Sequence, residues 1–172
     1  STLNGSRIPD GRVLVMATPD VRPFLWIGEK ALEAAAFYAA MFDDAELGEI
    51  RHLPAGEANC ELVELRIGPT TYILMNAPGA PGPNETFSFS VICKDQEEVD
   101  WYWDLLSVGG EPMACGWIRD RYGICWQITP SRMQELTDSG TRAQRRAVMD
   151  AMMTMVKFDI AALEAAFAAA AD

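Results

Sequence analysis

The chain is poor in positive charge: 14 Lys+Arg stand against 25 Asp+Glu, for a net charge of −11 over 172 residues. That is the wrong sign for a surface that neutralises phosphates, so neither nucleic acid nor an anionic membrane is an expected partner. Histidine is nearly absent. His52 is the single imidazole, whereas most zinc, nickel and non-haem iron sites use two or more. The four cysteines, Cys60, Cys93, Cys115 and Cys125, lack the two-to-four-residue spacing of zinc ribbons and redox dithiols, and they read as reduced, packed thiols. Neither an N-terminal apolar segment of the secretory kind nor a run of 18 apolar residues is present. The expectation is a cytoplasmic protein with no membrane association.

What is there is a repeat. A polar, turn-rich extension over 1–20 contains one apolar run, 13–16. The first module is expected over 21–76. It opens with the β-rich stretch Arg22-Pro23-Phe24-Leu25-Trp26-Ile27, ended by Gly28. Ala31, Ala34, Ala35, Tyr38, Met41 and Phe42 then recur at the three-to-four spacing of one buried helix face. Three strand-like runs follow, 47–53, 59–67 and 71–76, separated by Pro/Gly turns. The segment 77–84, with three prolines and two glycines, holds no regular element and reads as a linker.

A second module over 85–130 repeats the order: a strand over 87–93, a helix entered by the Asp95/Glu98 cap pair, then short strands over 111–113, 115–119 and 124–129. Over 131–172 a capping box at Thr141 and Gln144 and a cap at Asp159 announce a C-terminal helical pair. The first of these helices is expected to carry Ala147, Val148, Ala151, Met152, Met155 and Val156 on one face. The fold class is therefore α+β: two βαβββ modules forming a cupped mixed sheet, with C-terminal helices.

This tandem order resembles the vicinal oxygen chelate superfamily of glyoxalase, bleomycin-resistance and extradiol-dioxygenase proteins. Within it, Phe24-Leu25-Trp26, the Ala34–Tyr38 helix, Asp95-Gln96-Glu97-Glu98-Val99-Asp100 and the run from Cys115 to Pro130, with its Gly-Trp-x-x-Asp-x-x-Gly-x-x-Trp-Gln-x-x-Pro pattern, resemble the PhnB-like branch, often labelled 3-demethylubiquinone methyltransferase-like. Methyl transfer is not expected, because the chain has no Gly-x-Gly-x-x-Gly turn of the kind a nucleotide-type cofactor uses. The resemblance places Arg22, Asn76, Ser88 and Gln127 where metal-using members carry His or Glu. A guanidinium repels a cation, and Asn, Ser and Gln are weak neutral donors, so no metal and no other cofactor is expected.

If those four positions face the cup, strand alternation adds their neighbours. The expected ligand-binding set is Arg22, Phe24, Trp26, Tyr72, Asn76, Ser88, Ser90, Cys125 and Gln127, with Leu74 beside them. Leu25, Ile27, Ile73, Phe89, Val91, Trp126 and Ile128 would then pack under the helices. Each has a plainer reading too. Phe24, Trp26 and Tyr72 fill a core equally well, Arg22 pairs with a carboxylate such as Glu85, and Asn76 and Gln127 satisfy buried backbone. Cys125 is more simply a packed thiol than a nucleophile, His52 a solvated edge residue, and Asp120 a turn residue bonding backbone. The functional expectation is a metal-free protein that binds or sequesters a small, partly aromatic ligand with an anionic or carbonyl group, as a homodimer. The alternative is a metal-independent isomerase or lyase of the same fold.

Overall fold

The computed structural model describes residues 6–7, 13–14, 20–55 and 58–170. Of the N-terminal extension it gives β1 (Ser6–Arg7) and β2 (Val13–Leu14), paired antiparallel, and Asp20; the rest of that extension lies outside the described residues. The first module consists of β3 (Phe24–Trp26), α1 (Ala31–Met41), β4 (Ala45–Ala55), β5 (Ala58–Ile67) and β6 (Thr70–Met75). The second has β7 (Ser88–Cys93), α2 (Gln96–Ser107), β8 (Glu111–Pro112), β9 (Trp117–Arg119) and β10 (Cys125–Pro130).

The two sheets have the same plan. Their strand orders are β3-β6-β5-β4 and β7-β10-β9-β8, and in each the first strand lies parallel to the last while the remaining pairs are antiparallel. A parallel neighbour requires a long crossover, which the helix and two intervening strands of each module provide. Among the described residues no ladder joins the sheets, so β3 and β7 each keep one unpaired edge.

Helix α1 buries Ala31, Ala34, Ala35, Tyr38 and Met41, as the spacing predicts. They pack with Leu25, Ile27, Val63, Leu65 and Leu74, while Val99, Trp103 and Leu106 of α2 belong to the same cluster as Ile118, Trp126 and Ile128. One core therefore runs through both modules. Contacts between modules lie on the helix-bearing faces: Trp126, stacked on Phe89 of its own module at 4.5 Å, meets Tyr38 of the first at 5.3 Å, and Tyr72 of the first meets Phe89 edge-on at 5.1 Å.

At the centre of this junction is a carboxylate. Asp120, 5% exposed, sits in the turn between β9 and β10, where its Oδ1 accepts from the amides of Tyr122 (2.8 Å) and Ile124 (3.1 Å). Its Oδ2 accepts from the Tyr38 hydroxyl (2.6 Å) and the Trp126 indole N–H (2.8 Å). Four donors replace the water that a buried charge gives up. The turn bonding follows from Asp in that position; the reach across to α1 does not. Burial first, and then the Asp120 charge, push the Tyr38 hydroxyl well above its usual pKa, so it stays a donor.

The tail differs from the expected helical pair. Three helices fill it: α3 (Ser131–Ser139), α4 (Arg142–Met152) and α5 (Ile160–Ala169). Helix α3 buries only Leu136, too few apolar positions to signal a period. The Thr141/Gln144 capping box and the Asp159 cap form as expected, but α4 ends at Met152, so Met155 and Val156 leave the helix. Their carbonyls accept from the amides of Cys115 and Gly116 (both 2.8 Å), and Phe158 is buried against Gly116, where an added Cβ would come within 2.3 Å of its ring.

Removal of the Asp120 carboxylate is expected to leave two buried side-chain donors unpaired and to loosen both modules together. Asp120→Ala should cost about 3 kcal/mol in urea unfolding, and Tyr38→Phe, which removes one donor, about 1 to 1.5 kcal/mol. A loss below about 1 kcal/mol for Asp120→Ala would deny the carboxylate this role.

Candidate functional site

Pairing register decides which side chains meet. In the first sheet Phe24 lies opposite Ile73, Leu25 opposite Leu74 and Trp26 opposite Met75. Partnered residues share a face, so Tyr72, Leu74 and Asn76 lie with Leu25 on the helix-bearing face, and Ile73 lies with Phe24 and Trp26 on the open one. This corrects the expected set. A one-residue slip in β6 reverses all of its side chains, and the expected facing of Tyr72, Leu74, Asn76 and Ile73 corresponds to that slip. Asn76 instead caps α1. Its Oδ1 accepts the Ala31 amide at 2.8 Å, which compensates for Lys30, the N-cap residue, making no side-chain bond.

In the second sheet Cys125 lies opposite Ser88 and Gln127 opposite Ser90, while Trp126 pairs with Phe89. Ser88, Ser90, Cys125 and Gln127 therefore share the open face, and Phe89, Val91, Trp126 and Ile128 share the helix-bearing one. Gln127 Nε2 donates to Ser88 Oγ at 2.8 Å, and Cys125 is wholly buried.

On the open faces, Arg22 of the first sheet and Arg119 of the second are each held by two carboxylates. Arg22 bonds Asp20 through Nε (2.7 Å) and Glu64 through Nη1 (2.7 Å). Arg119 bonds Glu85 (2.8 Å) and Glu111 (3.1 Å). The carboxylate near Arg22 is thus Glu64 and not Glu85, which serves Arg119. Bonds to Asp20 first, then Glu64, raise the Arg22 pKa, and the Cys125 side chain is the leading cause of the rise at Arg119. Sequence reasoning missed Arg119, Glu64 and Glu111. The pairing of Arg119 with Cys125 follows from a hairpin one residue longer than a strand starting at 124 implies, and that residue decides whether Arg119 shares a face with Gln127.

A cavity of about 350 Å³ runs along the unpaired edge of β3. Pro23, Phe24 and Trp26 wall one side, and Pro81 and Pro83 of the linker segment, with Phe87 just before β7, the other. Phe24 and Trp26 remain 51% and 47% exposed. Of the expected ligand-binding residues, this cavity gathers Phe24 and Trp26; the polar group Ser88, Ser90 and Gln127 belongs to the other sheet.

With this geometry in place, the comparisons with known proteins decide the family. The family model described as 3-demethylubiquinone-9 3-methyltransferase matches residues 19–129. The chain belongs to this family. Its two-module plan is that of the vicinal oxygen chelate superfamily. Among solved structures, it is similar to a putative 3-demethylubiquinone-9 3-methyltransferase, the PhnB protein, from Bacillus cereus (23% identity, TM-score 0.58, covering 65% of this chain and 99% of that one). It is also similar to protein PA1353 from Pseudomonas aeruginosa (18% identity, TM-score 0.55, 66% of this chain and 98% of that one). Among proteins of curated function none matches. The family match ends before α3, so the tail lies beyond the shared part.

The donors on the open faces do not suit a divalent ion. Ser88 and Gln127 are neutral and bonded to each other, Arg22 is cationic, Asn76 is turned away, and Glu64, Glu85 and Glu111 are taken up by arginines. No cluster of three or more His, Cys, Asp or Glu fit for a metal occurs among the described residues. Elemental analysis of gently purified protein should find far less than one equivalent of Zn, Ni, Mn or Fe per chain. Close to one equivalent would mean that these strands present other residues to the ion.

Proposed function

We propose that the protein binds a small, partly aromatic molecule carrying a carbonyl group, and that it does so as a homodimer without a resident metal. The observation that carries the reading is the pair Phe24 and Trp26, half exposed on the wall of a cavity beside an unpaired strand edge. Aromatic surface left open in a concave site, with a few polar groups nearby, is what small-molecule recognition uses. Stacking on Phe24 or Trp26 supplies the apolar contact, and Ser88, Ser90 and Gln127 supply hydroxyl and amide donors.

The expected anionic or carbonyl group narrows to a carbonyl for an electrostatic reason. Arg22 and Arg119 are each already matched by two carboxylates, so an anion must displace one of them, whereas a carbonyl accepts a hydrogen bond and leaves the ion pairs in place. Binding and sequestration suit these groups better than methyl transfer, for which the chain offers neither the glycine-rich turn nor a parallel α/β sheet around it.

The dimer follows from edges. Strands β3 and β7 each present an unpaired side, flanked by Phe24 and Trp26 on the first and by Phe87 and the 58%-exposed Ile92 on the second. Such edges are usually covered, and a second copy laid across them in two-fold symmetry brings the aromatic face of one chain to the polar face of the other. No helix among the described residues is long and apolar enough to cross a membrane.

Acetophenone and benzoate, an aromatic ketone and an anion of similar size, test the ligand class by calorimetry. Acetophenone should bind more tightly, Trp26→Ala should weaken it about tenfold, and Gln127→Ala by about 0.5 to 1.5 kcal/mol. Equal binding by the parent protein and both variants would place the ligand elsewhere. In light scattering at micromolar concentration the mass should be twice the 18.9 kDa of one chain; a single-chain mass would refute the dimer.

A further inference from the structure

We infer that a second site, between the C-terminal end of α1 and the first turns of α2, binds a small organic cation of the quaternary-ammonium type. The cavity there holds about 520 Å³ and is separate from the one beside β3. Its apolar walls are Phe42, Trp101 and Tyr102. The Trp101 ring stands at 83° to Tyr102 with centroids 4.7 Å apart, and Phe42 lies 5.5 Å from Tyr102. Two of these walls therefore stand nearly at right angles, packed edge to face, and the half-exposed Trp101 ring borders the space that a bulky cation would enter. Trp101 is 50% exposed and belongs to no buried cluster, so core packing does not account for a tryptophan at this position.

The charge around the rings has one dominant sign. Asp43, Asp95, Glu97 and Glu98 line the cavity with a single cation, Lys94. Lys94 is spent on Glu98, which it meets at 2.8 Å, and Asp95 is spent as the cap of α2, accepting the Glu98 amide at 2.9 Å. Asp43 and Glu97 make no ion pair among the described residues, and they leave two uncompensated charges at the rim. The end of α1 adds to this field, since a helix C-terminus carries about half a negative charge and the last turn of α1 contains no basic residue.

The protein does not fill the site with a cation of its own. Both cation–π contacts among the described residues belong to Arg121, which lies over Phe37 and Tyr122 on the far side of α1. A methylated ammonium suits the remaining space better than a metal ion or a primary amine. Its methyl groups bury against rings, and it loses less hydration than a compact cation when it leaves water.

Choline and its uncharged isostere 3,3-dimethyl-1-butanol separate charge from shape. Calorimetry at low salt should show saturable choline binding, with the neutral isostere at least about tenfold weaker. Trp101→Ala, a change at a half-exposed position that the fold tolerates, should weaken choline about tenfold, and the double variant Asp43→Asn/Glu97→Gln should do the same. Lys94→Ala should tighten it, because Glu98 is then unpaired, and Trp26→Ala should leave it unchanged. Absence of choline binding at tens of millimolar, equal binding of the isostere, or an unaltered Trp101→Ala variant would overturn the assignment, and none of these outcomes bears on the cavity beside β3.

Discussion

A carboxylate without a cation holds the two modules together. Asp120 is buried with four donors and, among the described residues, no arginine or lysine in bonding contact, so its charge is tolerated only while Tyr38 of the first module and Trp126 of the second both point at it. That requirement fixes the rotation of α1 about its axis. It also fixes the depth of the turn after β9, and with it the register that brings Arg119 opposite Cys125. The aromatic contacts around Tyr38, Phe89 and Trp126 are permissive by comparison, because rings accept many tilts at similar energy, whereas hydrogen bonds to a buried oxygen accept few.

The architecture is legible in the sequence because it repeats. Two apolar patterns of the same order, divided by a proline-rich segment, specify βαβββ twice, and caps at Asp95, Thr141 and Asp159 mark three helix starts by residue type alone. Facing is legible where a strand alternates cleanly. Ser88 to Val91 and Cys125 to Ile128 alternate small or polar with large apolar residues, and that alternation separates their two faces. Tyr72 to Met75 is apolar on both faces, one packed under α1 and the other open beside Phe24 and Trp26. In such a strand period 2 gives no sign, and only the pairing with β3 resolves it.

Electrostatics is the least legible layer. A net charge of −11 invites the view that any arginine on an open face awaits an anion. Arg22 and Arg119 instead each stand between two carboxylates, one of them from a distant part of the chain: Glu64 lies 42 residues from Arg22, and Glu85 lies 34 from Arg119. Part of the excess acid in this protein serves as partners for its few cations, so the local field at Arg22 and Arg119 is close to neutral or negative. The same excess, where no guanidinium stands nearby, accumulates at Asp43 and Glu97.

The tail has a core of its own. Leu136, Val148 and Leu163 form a cluster separate from the one that runs through both modules, and the connection between the two is narrow: the strap from Met155 to Phe158 over Cys115 and Gly116, and Gln96, which bonds the Phe158 carbonyl and the Ile160 amide. A body with its own centre and few ties opens without dragging its neighbour. Amides in α4 and α5 can therefore exchange with solvent through a local opening while those of β5 and β10 wait for the whole molecule to unfold. The chain is thereby built so that the centre of this appendage can drift in sequence with little effect on the two modules, as long as Phe158 and the strap over Gly116 are kept.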